Sequence, residues 1–101
     1  MTEKRFVEGI EIGISTLVRV EMISSKLEQF GARTDELERQ ISQVGPPPQR
    51  EDQATNVNWE QKILAVLRLC DALKRKLGNL DQKKEIDLLL KPFNKVYLLS
   101  A

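Results

Sequence analysis

Ile63-Leu64-Ala65-Val66-Leu67-Arg68-Leu69-Cys70 is the stretch that decides the fold. Seven of its eight residues are apolar, so a helix built from it is hydrophobic around most of its circumference. Such a helix must be buried on most sides. The stretch lies within a longer stripe: Trp59, Ile63, Val66, Cys70, Leu73, Leu77 and Leu80. The steps alternate between four and three, the spacing of a helix that packs lengthwise on another helix.

Outward from this segment the punctuation is helical. Asn58 is a good N-cap, with Gln61 at the reciprocal position of a capping box. Gly78-Asn79 is a stop signal, so a helix is predicted over about 58–77. Asp81 is read as the cap of a last helix over about 81–99. Pro92 falls inside that pattern, yet Ile86, Leu90, Phe93 and Tyr97 keep helical spacing across it. A kinked or two-piece helix is the expectation, because proline lacks the amide donor and clashes with the preceding turn.

The first half carries a second stripe: Phe6, Ile10, Gly13, Leu17, Val20, Ile23, Leu27, Phe30, Thr34, Leu37, Ile41 and Val44. One long helix over about 3–44 is predicted, continuous or gently bent, roughly 60 Å long at 1.5 Å per residue. Gly31 and the capping candidates Thr34 and Asp35 argue for an interruption. Gly45-Pro46-Pro47-Pro48 ends the helix, and a polar, aperiodic linker extends to residue 57. The predicted fold is therefore all-α, a single domain over residues 1–101. It is an elongated antiparallel helical hairpin or a three-helix bundle with coiled-coil-like packing, the hairpin being preferred.

Composition excludes more than it assigns. The 101 residues are 41% hydrophobic and 31% charged, with a net charge of +1. Five aromatic residues and nine Gly and Pro together disfavour a turn-rich sandwich or barrel. The chain has no histidine, which removes the Ser-His-Asp and Cys-His arrangements and the commonest metal ligand. The one cysteine, Cys70, lies on the apolar stripe and reads as a small buried hydrophobe. No glycine-rich phosphate loop and no paired carboxylates in an apolar pocket are evident, so no enzymatic activity and no cofactor are predicted. Residues 2–8 lack the apolar run of a signal peptide, and no stretch approaches the ~20 apolar residues of a membrane span. An intracellular protein is expected, in the cytoplasm rather than the nucleus.

What remains is apolar surface in excess of what two or three helices can cover. Trp59, Leu64, Leu67, Leu69, Leu89, Phe93, Tyr97 and Leu98 are the candidate interface. The expected partner is protein, either a second copy or a helical subunit, with small molecules disfavoured. The predicted function is a non-enzymatic interaction or scaffold subunit that assembles by helix packing. In architecture alone it is similar to small helical subunits of cytoskeletal, kinetochore and trafficking assemblies, and to helical secretion chaperones. The alternative is a basic patch of Lys74, Arg75, Lys76, Lys83 and Lys84 that binds nucleic acid or a membrane surface. The near-zero net charge and the lack of interleaved aromatics disfavour it. Cations in the last turn of a helix also have a plain role against the helix dipole.

Overall fold

A computed structural model describes the backbone of residues 2–46 and 57–97, and the side chains of residues 13–46 and 59–94. The described residues form four helices: α1 (Thr2–Gln29), α2 (Asp35–Val44), α3 (Val57–Arg75) and α4 (Leu80–Tyr97). The chain is all-helical and measures 46 × 24 × 18 Å.

The long first helix does not persist. It breaks at Gly31, which takes a φ of +89°. The amide of Ala32 donates to the Leu27 carbonyl at 2.9 Å, and the amide of Gly31 donates to the Glu28 carbonyl at 3.0 Å. This pair of bonds is a Schellman closure, which satisfies the last carbonyls and favours glycine at the left-handed position. Thr34 then opens α2 with its own carbonyl, which accepts from the Glu38 amide at 2.8 Å. Its hydroxyl makes no capping bond to the backbone and donates to Glu38 Oε1 at 3.4 Å. A Cβ added at Gly31 would meet nothing within 4 Å, so its cost is confined to the backbone. Gly31→Ala is expected to lose about 1–2 kcal/mol of stability in a urea melt. A gain would mean that the chain prefers the unbroken helix.

Three further boundaries differ from expectation. Asn58 lies inside α3, which starts at Val57. The cap of α4 is Asn79 and not Asp81. The Asn79 Oδ1 accepts from the amides of Asp81 at 2.8 Å and Gln82 at 3.2 Å. Finally, α4 is one helix through Pro92 and not two pieces. The carbonyl that Pro92 leaves without a donor is that of Leu88, four residues earlier. Leu88 is on the exposed face of α4, where water replaces the lost bond.

The core explains the decisive stretch. Ile63, Val66, Leu67 and Cys70 are all buried, packed with Val20, Ile23 and Leu27 of α1. α2 adds Leu37 and Val44, and α4 adds Ile86, Leu90 and Phe93. Among the helices α3 is the hub: it packs on α1, α2 and α4. The break at Gly31 creates the extra helix that covers a further flank of α3. Most of the apolar circumference of this stretch is thus covered by its own chain, with Leu64 and Leu69 half-buried and Ala65 exposed.

Candidate functional site

The predicted interface residues separate into two groups. Leu67 and Phe93 are core residues of this chain, closed to any partner while the fold stands. Trp59, Leu69 and Leu89 are half-buried and lie against that core, and Leu64 is half-buried. The Trp59 Nε1 is buried without an acceptor among the described residues. The side chain of Tyr97 and all of Leu98 lie outside the described residues. The apolar surface proposed for α3 is therefore much reduced.

Exposed apolar surface is found elsewhere. Ile14, Val18 and Met22 of α1 are 50%, 51% and 53% exposed. They recur every four residues, on the side of α1 turned away from Val20, Ile23 and Leu27. A ridge at this spacing is the element that interlocks with the grooves of a second helix. Its signal lies in the sequence: α1 carries a second apolar ridge, at steps of four, beside the stripe at alternating spacing. Leu80 and Leu88 of α4 are more exposed still, at 65% and 67%.

The basic patch is divided by ion pairs. Lys74 Nζ reaches Asp87 at 2.9 Å and Asp71 at 3.3 Å, and Arg75 reaches the same Asp71 at 3.1 Å. Partial burial pulls the Lys74 ammonium down, but its bonds to Asp87 and Asp71 outweigh that and raise it above the ordinary lysine value. Lys74 thus ties α3 to α4, a structural role. Lys76, Lys83 and Lys84 have no ion pair among the described residues. Lys83 and Lys84 follow Leu80 at i+3 and i+4, beside it on the helix surface. Lys76 lies in the turn that leads to it.

One groove of about 470 Å³ opens between α1 and α2. Leu17 and Ile41 supply its apolar lining, and Glu21, Glu28 and Glu38 its charge. Among the described residues no lysine or arginine lines it. Ser24 also lines it and is 6% exposed.

No family model, curated protein or solved structure matches the chain. The surfaces just described are what any functional reading rests on. Among the described residues no three His, Cys, Asp or Glu side chains gather to hold a metal ion. No described helix is long and apolar enough to cross a membrane. Burial pushes the Cys70 thiol up to about 12, and the neighbouring Asp71 carboxylate adds to the rise. Since the thiolate is the nucleophile, Cys70 is held unreactive. At pH 8 it is expected to resist alkylation in the folded protein and to react fully in urea. Rapid labelling of the native state, followed by mass spectrometry, would contradict its burial.

Proposed function

We propose that this chain is a non-enzymatic interaction subunit that binds other protein by helix packing. The observation that supports it is the exposed Ile14–Val18–Met22 ridge on α1, aligned along the helix and opposite the core. Three large apolar side chains in line make a continuous patch, and continuous patches mark contact surfaces where scattered ones do not. The packing mode is a ridge seated in the groove of a second helix, with the outer ridge of α1 in place of the α3 stripe. The reading names no reaction.

The nucleic-acid or membrane alternative loses support from the ion pairs. Lys74 and Arg75 are engaged with Asp71 and Asp87. Lys76, Lys83 and Lys84 are left, too few for the six to ten phosphate contacts typical of strong electrostatic binding.

The test is site-specific photocrosslinking in the native cell, with a photoreactive residue at position 18. A second at the exposed position 68 serves as the control. The expected result is a discrete adduct with a protein at position 18, lost when Ile14 and Met22 are replaced by Lys. Both positions are exposed, so these changes leave the fold intact, with most surface substitutions costing within about 0.5 kcal/mol. No adduct at position 18, or one indifferent to the lysines, would overturn the reading.

A further inference from the structure

We propose that the α1–α2 groove is a socket for the α3–α4 corner of a second copy of this chain, with Leu80 as the inserting side chain. The inference rests on the reading of the chain as a helix-packing subunit, and it names a partner and a second surface.

The two surfaces complement each other in both apolar and charged character. The groove has an apolar lining, Leu17 and Ile41, edged by Glu21, Glu28 and Glu38. The corner has an apolar tip, Leu80, 65% exposed, with Lys83 and Lys84 beside it and Lys76 in the adjoining turn. Three carboxylates with no cation among them face three ammonium groups with no ion pair among the described residues. Neither charge set has an ion-pair partner among the described residues, and the Leu80 side chain is exposed. Docking removes Leu80 from water and places each set beside its opposite, which also steers encounter and fixes orientation.

Ser24 lines the groove between Glu21 and Glu28, and its Oγ offers an acceptor to an entering lysine ammonium. Glu21 and Glu28 are seven residues apart, about 10 Å along α1. That spacing admits one leucine with a cation on each side.

Groove and corner belong to different helices of the chain: α1 with α2, and α3 with α4. A copy that inserts its corner still presents its own groove. Two copies that fill each other's grooves form a closed two-fold dimer; a one-way contact closes as a ring or continues as a filament. One leucine and a few ion pairs make a contact smaller than the ~1,200 Å² of stable complexes, so assembly is weak and concentration-dependent.

Sedimentation velocity on the full chain tests this, from ~10 μM to ~1 mM, the range in which weak complexes form. The weight-average mass is expected to rise with concentration. It should fall again between ~0.1 and ~1 M salt, as the screening length shortens from about 10 to about 3 Å. Glu21→Lys/Glu28→Lys and Lys83→Glu/Lys84→Glu should each weaken self-association at least about tenfold, since each sets like charges together. Mixed one to one, the two variants should associate again, because each groove then meets a corner of opposite charge. Leu80→Ser removes the tip without touching charge and should also weaken association about tenfold. Circular dichroism checks that every variant keeps wild-type helicity.

A wild-type chain that stays monomeric throughout would overturn the inference. It would leave the groove to the chain's own residues 47–56 or to a foreign basic segment. Association that survives both reversals, or fails to return on mixing, would also overturn it. Photocrosslinks at position 18 are scored separately, so a monomeric chain that still crosslinks there removes the socket and spares the proposed function.

Discussion

Leu67→Asp is expected to abolish the cooperative fold, while Leu69→Asp, two residues away, leaves it standing. Leu67 is fully buried in the core. Its carboxylate replacement would sit in an apolar cluster, with no buried cation among the described residues. An unpaired buried charge costs several kcal/mol, against a total stability of about 5–15 kcal/mol for a domain. Leu67→Ala, the milder version, should cost about 2–5 kcal/mol through lost transfer energy and the cavity left behind. Leu69 is half-buried at the edge of the same cluster, so its aspartate keeps access to water. A loss of about 1 kcal/mol is expected there. Circular dichroism at 222 nm, with urea melts of the variants, decides the matter. Native helicity and an unshifted melt for Leu67→Asp would mean that α3 is not the hub of this core.

The second large effect concerns α2. This helix has only ten residues, too short to persist alone in water. It is held by Leu37, fully buried, together with Val44 and the half-buried Ile41. Leu37→Ala should cost about 2–5 kcal/mol. The loss should appear first as local opening, because α2 is attached through a glycine turn at one end. Hydrogen exchange followed by mass spectrometry should show residues 35–44 exchanging far faster, with the amides of α1, α3 and α4 less affected. The α1–α2 groove should vanish with it. Uniform acceleration across all four helices would show instead that α2 unfolds only with the whole.

The ion pairs carry less weight than the core. Lys26–Glu85 at 3.0 Å joins α1 to α4, and Arg39–Glu36 at 2.6 Å lies within α2. The hydrogen bonds from Arg39 and Gln40 hold the Glu36 carboxyl below the usual carboxylate range. That pair is exposed, and surface pairs contribute little to stability. Leu67, Ile63 and Ile86, all fully buried, hold the fold together.

The helical class was legible in the residues themselves. Period and propensity are local properties, and the stripes ending at Val44 and Leu80 run unmistakably at helical spacing. The core-facing side of α1 was legible for the same reason: Val20, Ile23 and Leu27 are buried as their spacing requires. The stop at Gly45 was also readable, since a positive φ and a following proline act within two residues. What the sequence left open was the competition between Gly31 and the helix around it. A glycine costs only about 1 kcal/mol in a helix interior, so local energetics nearly balance. Tertiary packing tips that balance, because α2 folded against α3 buries Leu37 and Val44.

The site followed from that choice. Leu67 and Leu69 both read as surplus apolar surface while α3 had too few neighbours to cover it. Once α2 is a separate helix, α3 meets three others, and Leu67 is interior. The exposed ridge of α1, the acidic groove beside α2 and the lysine-flanked Leu80 are all remainders of this packing. Which apolar residues are left over is decided only after every helix has found its neighbours. That is a property of the whole arrangement, because burial depends on what lies across from a side chain and not on its place in the chain.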